Sequence, residues 1–367
     1  MTAPKILYDA HIFDILPFGG IPRYYAEIVK RISKNPDFDS KIAARYLTNE
    51  ALDDFFLDNW RNTVVKSFDL KHYGRIKNFM LRANQKAVIS ELKSQKHDVF
   101  HPSFYDLEWL PYLGKTKLVI TIHDMIPELY FGYSNYRQMA FNKARLIERA
   151  DQILTVSNNT KRDLLKFFPK INPEIVTTTY LGCDMVSLNS ESRGGEEYFL
   201  YVGSRDGYKN FDFLIEAISS VLNEGLMLYY TGKPPTNAEI ELFRKFNVEN
   251  FLKHKFADDF GLARLYAGAK ALLFPSEYEG FGLPIIEAFK NNCPVVLADR
   301  SCFPEIAGDA GFYFNCKNKQ SFLEAVHLLD RSELVTAKNK MATDRIEMFD
   351  WRSTAQITAN VYKIATS

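Results

Sequence analysis

Apolar runs of two to six residues alternate along the chain with longer segments whose apolar positions recur every three or four residues. Short apolar runs are typical of buried strands, and the longer pattern is typical of helices with one buried face. Because parallel strands need crossover connections, strands that alternate with helices predict parallel α/β sheets. Eight strands are predicted in this way: Ile6–Tyr8, Val99–Phe100, Lys117–Ile122, Gln152–Val156, Phe199–Val202, Met227–Tyr230, Ala271–Phe274 and Pro294–Ala298.

The helices predicted between these strands include Ile21–Ser33, Tyr136–Arg149, Asn210–Asn223 and Leu262–Ala269. A polar, glycine-containing stretch at residues 185–197 is typical of a linker between domains. A chain of 367 residues is also long for a single core.

We therefore predict an α/β fold with two Rossmann-like, doubly wound domains that face each other across a cleft. The first domain covers residues 1–185 and the second covers 195–350. An amphipathic helix is predicted at the end of the chain, over residues 351–367. Ligands of such sheets bind at the carboxyl ends of the strands, so the candidate chemistry is sought there.

A glycine-containing loop follows one of the predicted strands and leads into a helix. Pro284 suits the first helical position, where no N–H is needed. Gly280 and Gly282 allow a close approach of the backbone to an anion at the helix N-terminus. Glu279 then lies at the mouth of the loop, and Glu287 is expected in the first helical turn, within reach of sugar hydroxyls.

Glu279 and Glu287 are separated by seven residues, and the first five of these are Gly-Phe-Gly-Leu-Pro. This segment resembles the E-x7-E signature of retaining GT-B glycosyltransferases of family four, in the branch that contains mannosyl- and glucosyltransferases. The resemblance implies that Glu279 lies near the transferred sugar, Glu287 at the ribose, and Phe281, Gly282 and Leu283 at the nucleotide sugar. It also implies that the first domain is on the acceptor side and that the second domain binds the nucleotide sugar. The C-terminal helix is implied to cross back onto the first domain.

Three further elements resemble the same family. In Gly203–Asn210, Arg205 and Lys209 match the arginine and lysine that hold the donor diphosphate, where fixed cations stabilise the departing charge. Gly19 and Gly20 open a helix after the first strand and match the N-terminal glycine loop. His123 ends a strand and matches a histidine that reaches the donor sugar. His101, at the same edge, is a weaker candidate.

The resemblance implies a retaining hexosyl transfer that uses a nucleotide diphosphate sugar and needs neither a metal nor a cofactor. GDP-mannose is the leading donor, with a UDP-sugar as the alternative. The acceptor is expected to be a glycan or a polyprenyl-linked precursor of a surface polysaccharide such as lipopolysaccharide. Two other functions stay open on this fold: a non-hydrolysing sugar-nucleotide epimerase, and a non-catalytic sugar-nucleotide-binding partner of another transferase.

Charge and composition add expectations about location. No signal peptide or membrane-spanning apolar run is recognisable in the sequence. The four cysteines show no C-x-x-C spacing, which predicts reduced, buried thiols. A cytoplasmic protein is therefore expected. Residues 1–183 hold 26 Lys and Arg against 20 Asp and Glu, whereas the remainder holds 20 against 25. A basic helical stripe in the first half suits either an anionic membrane surface or solvent. Its cations are Arg75, Arg82, Lys86 and Lys93. No motif suggests nucleic acid as a partner.

Overall fold

The computed structural model describes residues 3–16, 19–46, 70–130, 132, 134–188 and 197–367, without the side chains of 70–76, 134 and 135. These residues form two compact units. The first unit combines Met1–Leu181 with Trp351–Ser367, and the second unit is Gly182–Asp350. Most of the polar stretch predicted as a linker, residues 189–196, lies outside the described residues, as does the side chain of Arg75.

The first unit is a six-stranded parallel sheet with helices in its crossovers. Its strands are β1 (Lys5–Asp9), β2 (Asp39–Ala43), β3 (Val99–His101), β4 (Lys117–Ile122), β5 (Gln152–Thr155) and β6 (Val176–Thr178). Its helices are α1 (His11–Ile15), α2 (Gly20–Ile32), α3 (Leu70–Lys93), α4 (Ile126–Leu129), α5 (Ser134–Arg149) and α6 (Asn158–Phe167), and the C-terminal helix joins them.

The second unit repeats this arrangement with another six-stranded parallel sheet. Its strands are β7 (Tyr198–Tyr201), β8 (Met227–Tyr230), β9 (Leu252–His254), β10 (Ala271–Phe274), β11 (Val295–Ala298) and β12 (Phe312–Phe314). Its helices are α7 (Phe211–Leu222), α8 (Asn237–Lys245), α9 (Asp259–Gly268), α10 (Leu283–Lys290), α11 (Phe303–Ala307), α12 (Lys319–His327) and α13 (Ser332–Ile346).

Each sheet has one point where the strand order reverses direction. The first sheet runs β2-β1-β3-β4-β5-β6, so its order reverses between β1 and β3. The second runs β12-β11-β10-β7-β8-β9, so its order reverses between β7 and β10. The loops that leave such neighbouring strands turn to opposite faces and open a crevice, which is where doubly wound sheets bind ligands.

The C-terminal helix α14 (Trp351–Thr366) belongs to the first unit. A buried chain of hydrogen bonds attaches it to the sheet. The hydroxyl of Tyr362 lies 2.9 Å from that of Tyr8 and 2.7 Å from Nδ1 of His101. His101 continues the chain through Nε2 to Thr121 Oγ1 at 2.9 Å. Both ring nitrogens of His101 are thus used inside the core, which makes this histidine a packing residue.

Helix α3 carries the basic stripe. Arg82, Lys86 and Lys93 are exposed, in agreement with a solvent-facing or surface-binding role. Although Phe79 is apolar, it is 63% exposed, and its ring is tilted against that of Tyr46 with 5.8 Å between the centroids. The buried positions recur every four residues, which tilts the buried stripe away from Phe79. They are Met80, Asn84, Val88 and Leu92.

The cysteines agree with the expectation of thiols. Cys293, Cys302 and Cys316 are buried, Cys183 is half-buried, and none of these four forms a disulfide. Within the described residues, no helix has both the length and the apolar character that crossing a bilayer requires.

Candidate functional site

Lys209 and Glu279 meet at the point where the second sheet reverses its strand order. Lys209 ends the short 3-10 turn Gly207–Lys209 after β7, and Glu279 lies in the loop after β10. The ammonium nitrogen of Lys209 lies 2.6 Å from Oε1 of Glu279. Both side chains are mostly buried, with 15% and 11% of their surfaces exposed. Two residues that the sequence predicts from separate motifs, 70 positions apart, therefore form one ion pair.

Backbone geometry holds both members of this pair. Asn210 adopts a left-handed conformation (φ 57°), which ends the 3-10 turn and starts α7. The N–H of Glu277 donates to the Tyr208 carbonyl at 2.8 Å, so the two loops are joined directly. Ser301 accepts from the Glu279 N–H at 3.1 Å and donates back to its carbonyl at 2.7 Å. These two bonds fix the backbone of Glu279, and the ion pair with Lys209 holds its carboxylate.

Helix α10 begins one residue earlier than predicted. Gly282 is its N-cap with φ 85°, Leu283 is the first helical residue and Pro284 the second. A Cβ on Gly282 would lie 3.1 Å from Cδ1 of Ile285, so this position needs glycine for its conformation and for its space. The N-terminus of α10 leaves backbone N–H groups and a positive dipole end at the loop that carries Glu279.

Glu287 is the fifth residue of α10, so its predicted place in the first turn was wrong. The side chain is buried and accepts a hydrogen bond from the Tyr266 hydroxyl at 3.0 Å. Burial, with the neighbouring carboxylate, raises the pKa of Tyr266 well above its ordinary value, so Tyr266 stays a donor. Phe281 is also buried, with its ring edge-on to Phe349 at 5.6 Å.

Arg205 follows β7 as predicted, but its guanidinium is already engaged. Its Nε lies 2.5 Å from Oε1 of Glu239, and its Nη atoms donate to the carbonyls of Thr231, Lys233 and Pro234 at 2.8 to 3.2 Å. Only 6% of the side chain is exposed. In this geometry Arg205 joins the loop after β8 to α8. Lys209 instead forms its ion pair with Glu279 at the sheet edge.

His123 immediately follows β4 in the first unit, at the strand end where the sequence places it. The rings of Tyr24 and Tyr25 pack edge-on against it at 5.1 and 5.8 Å. Both tyrosines lie in α2, which starts at Gly20 with Gly19 as its N-cap at φ 137°. The glycine loop and His123 are thus adjoining parts of one structure.

The imidazole of His123 is neutral and incompletely bonded. Burial is the main cause that lowers the pKa of His123 to about 3, and the positive charge of Lys143 is the second cause. Its Nε2 is buried, and no group of the described chain hydrogen-bonds to it. A buried nitrogen without a partner costs free energy unless a ligand supplies the bond, so His123 is suited to accept from or donate to a bound hydroxyl.

A buried ion pair supports the loop of His123. Lys143 in α5 is completely buried, and its ammonium lies 2.8 Å from Oε2 of Glu128. The same ammonium donates to the Asp124 carbonyl at 2.9 Å, one residue from His123. Burial raises the pKa of Glu128, and the nearby Lys143 opposes that shift.

An open cavity of about 580 Å³ lies at the carboxyl ends of β11 and β12. Arg300 and Cys316 are on its wall. It adjoins the ion pair, because Asn210 donates to the Cys316 carbonyl at 3.1 Å and Ser301 holds Glu279. Across the described residues, no three or more His, Cys, Asp or Glu side chains are grouped to hold a metal ion.

Sequence reasoning missed the partners of the motif residues. Glu239 lies three positions after Thr236, and this spacing of a capping box is recognisable in the sequence. In the structure the Thr236 side chain accepts from the Glu239 N–H, and the Glu239 side chain accepts from the Thr236 N–H, at the start of α8. The second bond of Glu239, to Arg205, carries no local signal. Ser301, Tyr266 and Lys143 likewise belong to other elements and are identified only by the fold.

Two family profiles match almost the whole chain. Glycosyltransferase Family 4 matches residues 18–186, and Glycosyl transferases group 1 matches residues 187–345. Together with the two doubly wound sheets and the paired site residues, these matches define the class: the chain belongs to the GT-B glycosyltransferases of the family-four type.

Individual proteins agree with this membership. The chain is 27% identical over 388 residues to O-antigen chain mannosyltransferase B of Escherichia coli, which covers 95% of this chain and 97% of the relative. Among solved structures, Anabaena HepE in complex with UDP and glucose superposes with a TM-score of 0.72 at 17% identity, over 98% of this chain and 100% of that one. WaaG, a glycosyltransferase involved in lipopolysaccharide biosynthesis, superposes with a TM-score of 0.67 at 18% identity, over 97% and 99%. At these identities the structures establish the fold alone.

Proposed function

We propose that this glycosyltransferase transfers a hexose, with mannose first among the candidates, from a nucleotide diphosphate sugar to a glycan or polyprenyl-linked acceptor of a surface polysaccharide. The Lys209–Glu279 pair carries the proposal, because it places a fixed cation beside a helix N-terminus at the strand-order reversal of the second sheet. The O-antigen mannosyltransferase relative supports mannose as the sugar. GDP-mannose is the donor that we propose first. A UDP-sugar is the second candidate, supported by the UDP complex of HepE.

The proposed chemistry is retaining and independent of metal. As the bond from the sugar to the diphosphate breaks, the acceptor oxygen bonds to the same carbon, and the departing phosphate takes the acceptor's proton. The negative charge that grows on this phosphate is stabilised by a preorganised cation and a helix dipole. Lys209 would exchange part of its bond with Glu279 for a phosphate oxygen, and the released Glu279 carboxylate would accept from the sugar. Neutral His123 would bond a hydroxyl of the substrate. The reaction is proposed for the cytoplasmic side, where nucleotide sugars are made.

Arg205 enters this proposal only as a second phosphate ligand. To reach a diphosphate, its guanidinium would have to leave Glu239 and the three carbonyls that it now binds. The two roles differ in what Arg205→Ala does to nucleotide affinity, with Glu239→Gln as the reference. If Arg205 only holds the loop, then Arg205→Ala and Glu239→Gln both lower the free energy of unfolding and leave affinity for the bare nucleotide nearly unchanged. If Arg205 binds phosphate, only Arg205→Ala weakens nucleotide affinity.

The central test is turnover by a Lys209→Ala variant. A thermal-shift panel of GDP, UDP, GDP-mannose and UDP-glucose first identifies the donor, since a ligand at ~100 times its Kd stabilises by about 2.7 kcal/mol. With that donor, Lys209→Ala should lower kcat by about two to three powers of ten, the usual loss for one transition-state contact. The anomeric configuration of the product, read by NMR, reports retention.

The matched control is Lys270→Ala. Lys270 also forms an ion pair in the second unit, with Asp330 at 2.9 Å, but Asp330 is largely exposed. Its removal should leave turnover close to that of the wild type. Equal turnover in the Lys209 variant and the wild type would reject the site, and conversion of the donor to an epimer without an acceptor would favour the epimerase.

The two glutamates should separate nucleotide binding from turnover. Glu287→Ala should mainly weaken the affinity for the bare nucleoside diphosphate, because Glu287 is proposed to bind the ribose. Glu279→Ala should mainly lower kcat, because Glu279 is proposed to act beside the transferred sugar. Titration calorimetry with the nucleoside diphosphate decides between them, and equal loss of affinity in both variants would contradict the proposed division.

A further inference from the structure

Among the described residues, no group hydrogen-bonds to the buried Nε2 of His123. The Glu279 carboxylate, by contrast, is held by the Lys209 ammonium at 2.6 Å. A side chain that meets a substrate needs a fixed direction, since a misplacement of about 1 Å can lower a rate about a hundredfold. The direction of this imidazole therefore depends on the groups that pack against it.

Two tyrosine rings of α2 supply that packing. The ring centroid of Tyr24 lies 5.1 Å from that of His123 at an interplanar angle of 83°, and the Tyr25 centroid lies 5.8 Å away at 65°. Both tyrosines are buried. Tyr25 donates to the Pro102 carbonyl at 2.9 Å, and the Tyr24 hydroxyl lies 3.0 Å from Thr121 Oγ1. A ring that is fixed at its hydroxyl end can hold its neighbour in place.

Tyr24 belongs to a buried hydroxyl network that joins three strands of the first sheet to α2 and α14. In bonding order, the members of this network are Tyr8, Tyr362, His101, Thr121, Tyr24 and Thr358. Each member is at most 2% exposed, so the members depend on one another for their hydrogen bonds. Each proton in the network must therefore find its acceptor within the protein.

The end of the network in α14 sets the direction of its protons. Thr358 donates its only O–H to the Thr354 carbonyl at 2.8 Å, so its oxygen can only accept from Tyr24. Tyr24 has thereby used its own O–H, and its oxygen accepts from Thr121 at 3.0 Å. The opposite direction would leave the oxygens of Tyr24 and Thr358 facing each other without a proton between them.

His101 continues this direction toward β1. Burial is the main cause that lowers its pKa to about 3, with His123 as the second cause, so the ring is neutral and has one N–H and one acceptor nitrogen. Because Thr121 donates onward, the proton between Thr121 and His101 comes from Nε2, 2.9 Å from Oγ1. Nδ1 then accepts from Tyr362 at 2.7 Å, and Tyr362 accepts from Tyr8 at 2.9 Å. Every proton of the network has an acceptor in this arrangement.

We propose that Thr121 and Tyr24 are positioning residues for His123, and that the hydroxyl network donates in one direction, from Tyr8 to Thr358. Buried networks whose members are all satisfied make a core rigid. The network fixes the Tyr24 ring from both β4 and α14, and that ring fixes the imidazole. The inference rests on the proposed function, because it concerns a side chain proposed to bond the substrate. It gives the C-terminal helix a part in the reaction through residues buried in the core.

¹⁵N NMR of the histidine-labelled full chain tests the direction of the network. Backbone assignment links each imidazole signal to its residue. At neutral pH we expect the His101 tautomer that carries its proton on Nε2, with slow exchange of that proton with water. A His101 ring that is protonated on Nδ1, or on both nitrogens, would overturn the assigned direction.

Thr121→Val tests the positioning, because valine keeps the branched shape of threonine and removes the hydroxyl. We expect the His123 imidazole signals to shift or broaden. The value of kcat should fall by about ten- to a hundredfold, the scale of a small misplacement at a reacting centre. Affinity for the bare nucleotide, which is proposed to bind in the second unit, should stay unchanged. Thr121→Ser retains the hydroxyl and should restore both the His123 signals and kcat.

Thr155→Val is the matched control. Thr155 is also completely buried and lies in the neighbouring strand β5, but its hydroxyl is bonded to Thr178 at 3.2 Å. This variant loses a buried hydroxyl outside the network, so its His123 signals and kcat should match those of the wild type. If Thr121→Val fails to fold, Tyr24→Phe replaces it. Phenylalanine keeps the ring and removes its anchor, and it should change the same signals.

The outcomes separate this inference from the proposed function. Unchanged His123 signals in Thr121→Val, or the same change in Thr155→Val, would overturn the positioning role whatever the turnover. Changed His123 signals with wild-type kcat would overturn it as well. If the wild type turns over no donor, changed signals in Thr121→Val alone uphold the way in which the ring is held, and only the proposed transfer is rejected.

Discussion

Replacing Lys143 by methionine should destabilise the first unit strongly and in a pH-dependent way. Lys143 is completely buried, and its ammonium lies 2.8 Å from a Glu128 carboxylate that is 5% exposed. Methionine fills a similar volume without the charge, so the variant leaves an unpaired carboxylate in the core. Breaking a buried pair in this manner costs about 3–5 kcal/mol. For a unit of nearly 200 residues, that loss lowers Tm by roughly 6–20 °C.

The sign of the pH dependence follows from Glu128. Its pKa is already raised by burial, and the attraction of Lys143 opposes the rise. Without Lys143 the folded-state pKa rises further above the unfolded value. An acid whose pKa is raised on folding binds more protons in the native state, so stability falls as pH increases through that window. The deficit of Lys143→Met should therefore be small near pH 5 and large near pH 8.

Tryptophan fluorescence in urea measures this change selectively, because residues 182–350 contain no tryptophan and Trp109 and Trp351 belong to the first unit. The double variant Lys143→Met/Glu128→Gln removes both charges and should recover most of the loss. Lys117→Met is the control: Lys117 pairs with Asp151 at 3.2 Å, but its side chain is 48% exposed, so the pair should contribute less than about 1 kcal/mol. An unchanged urea midpoint for Lys143→Met at pH 8, or a larger deficit at pH 5, would refute the reasoning.

Two further predictions follow from single features. Gly282→Ala should lower the urea midpoint and weaken nucleotide binding, since a left-handed alanine costs roughly 1–2 kcal/mol and its Cβ would contact Ile285. The control is Gly132→Ala, where an added Cβ meets nothing within 4 Å, and it should change neither quantity. If the basic stripe of α3 binds membranes, vesicle co-sedimentation should show binding to anionic vesicles that falls as salt rises and disappears when Arg75, Arg82, Lys86 and Lys93 become Gln. Absence of binding at low salt would leave the stripe as a solvated helix face.

The strands show what an apolar pattern can and cannot predict. All eight predicted strands exist, and they are the interior strands of the two sheets. The four that the pattern missed are the four edge strands, β2, β6, β9 and β12. An edge strand is covered on fewer sides, so its residues need not be apolar, as the half-exposed β9 illustrates. The pattern thus locates the centre of each sheet and leaves its borders to the tertiary structure.

The site residues divide along a similar line. Lys209 and Glu279 could be predicted because each lies in a motif with its own local geometry, and both fall at the end of a strand. Arg205 was located correctly, yet its bond to Glu239 depends on how α8 packs, which no local spacing encodes. The same holds for Lys143 beneath His123. Sequence therefore identifies which residues reach the sheet edge, whereas the direction of each charged group is decided by partners from other elements.

The charge of each half of the chain is a poor guide to the charge of its site. The first half is basic, yet the described cations of its basic stripe, Arg82, Lys86 and Lys93, lie on the exposed face of α3. A cavity of about 230 Å³ beside the end of β1 instead has four carboxyl groups on its wall. The second half is acidic, yet its strand-order reversal presents Lys209 and a helix N-terminus.

This contrast bears on the proposed transfer. A nucleotide diphosphate is an anion, and under the proposal it would be attracted to Lys209 and to the N-terminus of α10, although the half of the chain that holds them is acidic overall. Net charge sums groups over the whole surface, whereas the affinity of a strand-end site depends on the few charges that are held next to the ligand. The local ion pair and the helix N-terminus are therefore better guides to the ligand of the second sheet than the net charge of the second half.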